Sequence, residues 1–525
     1  MKDILQTILS VFKIKYLSYI VFLLNLTNMI MGLFYIIFQS SIIIWNVYGI
    51  LILVNLILNF ILIFVTKKNI EKATKLCGRI NFLCYFYLII TAISPLLILL
   101  GNFLISVSYS NSTILNIVFY LMVYSGFFGI LTLGTIISYI DIKNLNNREY
   151  WKNNEVKKLK NLPSLKRRLL KTGFGIFGLF SLILGSYIAY NLVFVPYSDY
   201  TGWWIGIIFY QFSLSLFVIL LSSTFIFLLL INRKKYPYYF YSFGIFGLIL
   251  SSIFLLPLIS IPYISFQANQ EFTQAFGVDW ESKIDPSMER FFQVNPYSIT
   301  EYFLGNHPKE CNIDINIPFY SNKSEGITLH YDAYYPKTSG SLLPGNNSVI
   351  INIHGGAWTI GDKGPSNMLQ VNKYFAAQGY VVFDIQYGLK EGEFLIIPTP
   401  DQVGGNFTIN DQLRHIGNFT KYLNTSFFKN RYNLNLNSVF ITGNSAGGHL
   451  SLASALLIDN GTYTDIFNSA LNIKGIIPVY PADPPESIIS GSEKFRNPEN
   501  YFITSNSPPC LMFQGTKDFT LIESK

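Results

Sequence analysis

Charge is scarce in this chain, and acidic charge in its first half is scarcer still. Only 13% of the 525 residues are Asp, Glu, Lys or Arg, against 50% hydrophobic and 16% aromatic. That balance is too apolar for one water-soluble globule, and the length is too great for one domain. Residues 1 to 265 hold 21 Lys+Arg and 6 Asp+Glu, and 266 to 525 hold 17 and 24 (38 − 21 and 30 − 6), so the net charge of +8 divides into +15 and −7. A boundary near Ser265 therefore separates two kinds of protein. Cysteine is sparse too: Cys77, Cys84, Cys311 and Cys510 make no disulfide framework and show no metal-ligand spacing. A Cys311 to Cys510 bridge is allowed, and buried free thiols are the preferred reading. With five histidines and no paired histidine or acidic cluster, neither a metal nor a cofactor is expected.

What the first half does have is long apolar runs. Seven of them, near Tyr16–Phe38, Ile42–Val65, Asn81–Ile105, Ser112–Ile140, Thr172–Val195, Trp203–Ile231 and Pro237–Ile264, reach the roughly 20 residues that cross a bilayer as a helix. No soluble core needs seven such segments in succession. The cations sit in alternate loops: Lys67 to Arg79, Lys143 to Lys171 and Arg233 to Lys235, with Lys2, Lys13 and Lys15 before the first run. Gln39–Ser41, Ser106–Asn111 and Pro196–Gly202 contain no Lys or Arg. The positive-inside rule then puts the N-terminus in the cytoplasm and, after an odd number of spans, residues 266 to 525 on the other side. Sequons at Asn322, Asn346, Asn406, Asn418, Asn424 and Asn460 suit a lumenal or extracellular glycoprotein surface. The first run lacks a following small-residue cleavage site and reads as a retained anchor. Attraction to anionic headgroups accounts for the basic loop between the fourth and fifth spans, so no nucleic acid partner is expected. The spans show no pattern of intramembrane charge that would mark an ion pathway.

Beyond a polar connector over 266–310, the pattern changes. Ile327–Tyr335 alternates as a half-buried strand, and Val349–Ile353, Tyr380–Ile385, Val439–Thr442, Ile473–Tyr480 and Cys510–Gln514 read as short apolar strands. Met368–Gln378, Asn410–Leu423 and the run after Ser445 read as helices. Such alternation predicts an α/β domain over 311–525 with a mainly parallel sheet and sites at the carboxyl ends of its strands.

Two loops follow such ends. Gly443-Asn444-Ser445-Ala446-Gly447 lies between a strand and a small-residue helix start, the setting in which a Gly-x-Ser-x-Gly turn holds a serine exposed as a nucleophile. His354-Gly355-Gly356-Ala357-Trp358 lies 91 residues upstream (445 − 354), and its small residues let backbone N–H groups face the space beside the serine. Asp518, in Gly515-Thr516-Lys517-Asp518 after the last apolar strand, is the candidate acid, with Asp483 as runner-up.

These three motifs together resemble the α/β-hydrolase superfamily, and within it the hormone-sensitive-lipase and carboxylesterase-like branch, including feruloyl-esterase-like and isoprenylcysteine-methylesterase-like members. The likeness covers roughly Ile327 to Lys525. It implies Ser445 as nucleophile, Asp518 as triad acid, and oxyanion donors at the N–H groups of Gly355, Gly356 and Ala446. The family places its general base on a loop after the acid, about where this chain ends at Lys525, so the hydrolase fold is expected to be C-terminally incomplete. Tyr387-Gly388-Leu389-Lys390 departs from the Tyr-Arg-Leu-Ala of many relatives. His354 is expected to hold the oxyanion loop by hydrogen bonding, and His449, His307, His330 and His415 to be structural. The combined expectation is a membrane domain (1–265), a connector (266–310) and an α/β-hydrolase domain (311–525) cleaving small-molecule or lipid carboxylic esters. Two rivals stand beside it: a serine peptidase or amidase, and a non-catalytic hydrolase-like binding module.

Overall fold

The structure, a computed structural model, describes residues 14–38, 43–69, 75–109, 114–146, 164–194, 200–292, 297–306, 309–391 and 399–515. Contacts divide the chain into two compact units. One comprises Met1–Ile105, Ser112–Ile284 and Phe292–His307, and the other Ser106–Asn111, Asp285–Phe291 and Pro308–Lys525.

The first unit is helical: α1 (Ile14–Ile37), α2 (Ile43–Asn69), α3 (Lys75–Ser106), α4 (Ile114–Asn146), α5 (Ser164–Phe194), α6 (Tyr200–Tyr210), α7 (Ser213–Leu230), α8 (Pro237–Ile253) and α9 (Leu256–Phe276). Among the described residues, seven helical stretches are long and apolar enough to cross a membrane. Two of the seven predicted runs are interrupted. The sixth breaks between Tyr210 and Ser213, where the N–H of Phe212 reaches only three residues back, to the Phe209 carbonyl at 3.1 Å, and the helix restarts from Phe212. The seventh breaks after Ile253 because Pro257, four residues on, has no N–H for the Ile253 carbonyl and its ring crowds that group. After the break α9 runs on to Phe276, so the first part of the expected connector is helix.

Inside this unit lies a polar seam that hydropathy conceals. Asn25 of α1 and Asn55 and Asn59 of α2 are buried and hydrogen-bonded to one another at 3.0–3.2 Å. Such side-chain amides join apolar helices where water supplies no partner. Asp141 near the end of α4 is also buried and accepts a hydrogen bond from the Thr66 hydroxyl of α2, so one acid within the spans escaped the sequence reading.

The second unit is built on a six-stranded sheet of order β1-β2-β4-β3-β7-β8. Its strands are β1 (Asn312–Asn322), β2 (Ile327–Tyr335), β3 (Ser348–Ile353), β4 (Val381–Ile385), β7 (Asn435–Asn444) and β8 (Ile473–Val479); β5 (Leu389–Lys390) and β6 (Gly404–Gly405) form a separate pair. The β4-β3-β7-β8 core is parallel, and β1 and β2 are added antiparallel. β3 and β4 are buried along their whole length, as a sheet covered on both faces requires. β2 departs from the predicted alternation: from Tyr331 to Tyr334 both faces are buried. β1, with two register irregularities and a positive φ at Asn316, gave no sequence signal. The expected strand Cys510–Gln514 is reduced to two parallel bridges, Cys510 to Ile476 and Phe513 to Val479. Cys84, Cys311 and Cys510 are free thiols, and Cys510 is exposed rather than buried.

Among the helices that pack on this sheet are α10 (Leu369–Ala377), α11 (Ile409–Leu423) and α12 (Ala446–Asn460). α11 opens with a reciprocal cap, in which the Thr408 side chain accepts from the Asp411 N–H and the Asp411 carboxylate accepts from the Thr408 N–H. An aromatic cluster of Tyr331, Phe383, Phe419 and Phe428, each at most 1% exposed, ties β2, β4, α11 and the short helix Ser426–Tyr432 together.

Candidate active site

Parallel register brings the two sequence-predicted loops together. Ile353, the last residue of β3, lies opposite Gly443 of β7, and Gly443 lies opposite Pro478 of β8, so both loops leave the sheet at one end. Ser445 sits between β7 and α12 with φ 51° and ψ −120°, a conformation that L-residues rarely adopt. Its N–H donates to the Val479 carbonyl at 3.0 Å, and its carbonyl accepts from His449 N at 3.1 Å and Ala482 N at 3.2 Å. Three backbone bonds therefore hold the strained turn, an arrangement found where strain serves a site.

The glycines explain how the turn fits. A Cβ on Gly447 would lie 2.1 Å from the Ile353 carbonyl oxygen, and one on Gly443 would lie 2.4 Å from that of Gly447. Strand and helix thus approach so closely that no side chain can stand between them. Ala446 is fully buried at the first position of α12, where a helix N–H has no partner within the helix.

The facing loop is equally constrained. A Cβ on Gly355 would meet the Asn444 carbonyl oxygen at 2.7 Å and the Ser445 Cβ at 3.3 Å, which places the Gly355 backbone directly against the elbow. Gly356, Ala357 and Trp358 have φ of 123°, 49° and 62°, and the Gly356 carbonyl accepts from the N–H groups of Thr359 and Ile360, both at 3.0 Å. The N–H groups of Gly355 and Gly356 donate to no carbonyl or side chain among the described residues.

The histidines hold structure. His354 donates its Nδ1–H to the Gly355 carbonyl at 2.8 Å, and its ring stacks on Tyr387 with centroids 4.4 Å apart. Tyr387, missed by the sequence reading, also donates its hydroxyl to the His354 carbonyl at 2.9 Å; its motif suggested only a family variant. His449 donates Nε2–H to the carbonyls of Phe495 and Arg496 at 3.1 and 3.0 Å. Burial pushes His354 below its usual range and both His449 and His415 down to about 4, so all three are neutral at pH 7. The His415 Nε2 to Glu325 contact of 3.3 Å is then a hydrogen bond rather than an ion pair. His330 lies in β2, and His307 is outside the described residues. Among the described residues no histidine side chain hydrogen-bonds the Ser445 hydroxyl.

Asp518 also lies outside the described residues. Asp483, the runner-up, is half-buried near Glu499, a second acid that carries no motif in the sequence. Burial first, and then the Asp483 charge, push the Glu499 carboxyl above its usual range. No group of three or more His, Cys, Asp or Glu able to hold a metal occurs among the described residues.

Residues 331–483 match the BD-FAE family, and the match spans β2 through the elbow to Asp483. The second unit carries a BD-FAE domain. It is a feruloyl-esterase-like α/β-hydrolase domain, with its Gly-x-Ser-x-Gly elbow and His-Gly-Gly loop side by side. No curated protein matches the chain. Similar solved structures include esterase B from Lactobacillus rhamnosis (24% identity over 34% of this chain and 52% of that one, TM-score 0.26). Others are a Pyrobaculum calidifontis esterase (15% identity, 38% and 65%, TM-score 0.29) and apo Thermogutta terrifontis esterase 2 (17%, 40% and 72%, TM-score 0.30). The chain spans about half to two-thirds of the length of the first of these relatives.

Proposed function

We propose that the chain is a multi-pass membrane protein whose BD-FAE domain hydrolyses carboxylic esters through an acyl-enzyme on Ser445, on the non-cytoplasmic face. The observation that carries the reading is the strained serine with the backbone of Gly355 packed against its elbow; the N–H groups of Gly355, Gly356 and Ala446 are the proposed oxyanion donors. Attack by Oγ on the acyl carbonyl moves an electron pair onto the carbonyl oxygen. On this reading the N–H donors favour the tetrahedral state over the ground state, and each is worth on the order of 100-fold or more in rate. Collapse expels the alcohol, and water then releases the acid and restores the serine. The oxyanion loop is set beforehand by His354 and Tyr387, so little reorganisation accompanies the step. The resemblance gives the acid role to Asp518, and it gives a histidine general base the transfer of the Oγ proton to the departing alcohol.

Small-molecule or lipid esters are the proposed substrates, with the spans as anchor. The outward faces of the first unit support embedding: Ile114, Phe180 and Ile183 are 83%, 64% and 61% exposed, surfaces that water disfavours and lipid accepts. Confinement of cations to alternate loops supports the orientation, and exposed Asn346, Asn406, Asn424 and Asn460 are sites where glycans would fit. The domain bounds 1–265, 266–310 and 311–525 belong to the same proposal.

A non-catalytic binding module is the second reading, favoured because no histidine side chain among the described residues hydrogen-bonds the Ser445 hydroxyl. Replacing Ser445 by Ala in the full-length protein decides between them. Hydrolysis of a short acyl ester falls to background on the esterase reading. Turnover by wild type that survives in Ser445→Ala refutes the nucleophile, and failure of wild type to turn over any ester favours the binding module.

A further inference from the structure

Beneath the oxyanion loop lies a buried charge cluster that the chemistry above does not use. Lys363, where the loop returns to the fold, is 3% exposed in its side chain and pairs at 2.7 Å with Oδ1 of Asp332, which is fully buried. The Asp332 Oδ1 also accepts from the Asn316 N–H at 2.9 Å, and the Lys363 ammonium donates to Asn316 Oδ1 at 2.6 Å. Beside it in register, Asp384 accepts from the Gly364 N–H and from Asn367 Nδ2, each at 2.7 Å. The end of the loop is therefore pinned through two adjacent residues, Lys363 and Gly364, to two buried carboxylates.

The remaining oxygen of Asp332, Oδ2, accepts from the hydroxyl of Tyr109 at 2.7 Å. Tyr109 stands far from the domain in sequence, on the segment Ser106–Asn111 between α3 and α4, which nonetheless belongs to the same compact unit as the sheet. Three further contacts fix that segment within the unit. Gln370 donates to the Ser106 carbonyl at 2.8 Å, Lys373 donates to the Tyr109 carbonyl at 3.2 Å, and a Cβ on Gly364 would lie 1.9 Å from the Tyr109 hydroxyl oxygen. Gly364, at φ +72°, thus turns the loop where the hydroxyl arrives.

We infer that Tyr109 is a positioning residue of the esterase site: its hydroxyl fixes Asp332, Asp332 fixes Lys363, and Lys363 holds the loop that presents Gly355 and Gly356. A buried carboxylate deprived of one of its donors recovers solvation by moving, and the ammonium paired with it moves too. Oxyanion donors act on the transition state, so their displacement appears in kcat and leaves ester binding almost untouched. The hydrolase unit would accordingly be incomplete without a residue carried between two spans. The inference rests on the esterase reading for its catalytic consequence, but not for its structural one.

The test compares Tyr109→Phe, Gln370→Ala and wild type in the full-length protein. Tyr109→Phe removes one hydroxyl and keeps the ring; Gln370→Ala loosens the same segment without touching the cluster. Expected for Tyr109→Phe is a fall in kcat of about 10- to 100-fold with KM within about twofold. Amide hydrogen exchange in peptides covering 354–364 should also be faster, and Gln370→Ala should match wild type in both readouts. Asp332→Asn also breaks the Lys363 pair and should cost more than Tyr109→Phe, but the double variant should cost little more than Asp332→Asn alone, because Tyr109 acts through Asp332. Unchanged exchange in Tyr109→Phe overturns the inference whatever the activity. Faster exchange with unchanged kcat overturns the catalytic role, and equal effects from Gln370→Ala show that tethering, not the hydroxyl, is what matters. If wild type hydrolyses no ester, the esterase reading fails by itself and the exchange measurement still decides whether Tyr109 holds the loop.

Discussion

Gly355 and Tyr387 give the account at the residue scale its sharpest handles. A methyl group at Gly355 would press on the Asn444 carbonyl oxygen from 2.7 Å, so Gly355→Ala must shift the loop away from the elbow. Ester turnover in that variant is expected to fall at least about 100-fold with the fold retained, and wild-type turnover would show that this backbone does not touch the reaction. Tyr387→Phe removes one hydrogen bond to the His354 carbonyl and should destabilise the domain by about 1 kcal/mol, read as a shift of the denaturation midpoint. The buried histidines set a pH dependence. Unfolded imidazoles titrate near 6.5, whereas His415 and His449 are pushed down to about 4. Their folded values are depressed, so the unfolded chain takes up protons first. The stability they contribute is fully present above about pH 6.5 and is lost as pH falls toward 4, at up to about 1.4 kcal/mol per pH unit for each. Unfolding midpoints measured between pH 7.5 and 4.5 should decline accordingly, and His449→Gln should reduce the slope. A midpoint independent of pH in that range would contradict the buried, neutral assignment.

Among the elements, the parallel core was legible because β3 and β4 are short, largely apolar runs buried on both faces, and β7 and β8 each contain a short apolar stretch, Val439–Ile441 and Ile476–Ile477, with alternating or mixed burial around it. The elbow was legible for a related reason, since Gly443 and Gly447 stand where neighbouring backbones leave no room for a Cβ. β1 was not legible: its mixed burial and its irregular pairing with β2 erase the period of two. Helix ends inside apolar runs were hidden as well, because hydropathy is blind to the missing N–H of Pro257. Long-range polar partnerships, such as Asp332 with Lys363 and Asn25 with Asn59, carry no local signature and become visible only once the chain is folded. The amide cluster invites a test of its own. Asn59→Leu removes a member bonded to both Asn25 and Asn55 and should lower the stability of the helical unit by roughly 0.5–2 kcal/mol in lipid or detergent. No change in its unfolding would mean that the seam is not holding α1 to α2.

Considered whole, the molecule joins seven apolar helical stretches to a BD-FAE domain, and the proposed orientation follows from charges outside both. Protease applied to the cytoplasmic face of sealed vesicles is expected to cut between Lys143 and Lys171 and to spare residues 309–515. Digestion of the domain with the basic loop protected would reverse the arrangement. Whether Ser445 is an activated nucleophile in an ester-cleaving site is decided by covalent labelling. Membranes containing the full-length protein would be treated with a fluorophosphonate, and the modified residue located by mass spectrometry. The account predicts one adduct, on Ser445, whose formation abolishes ester turnover in proportion to labelling. Ester turnover that persists with Ser445 fully modified, or an adduct that forms only on another serine, would contradict it.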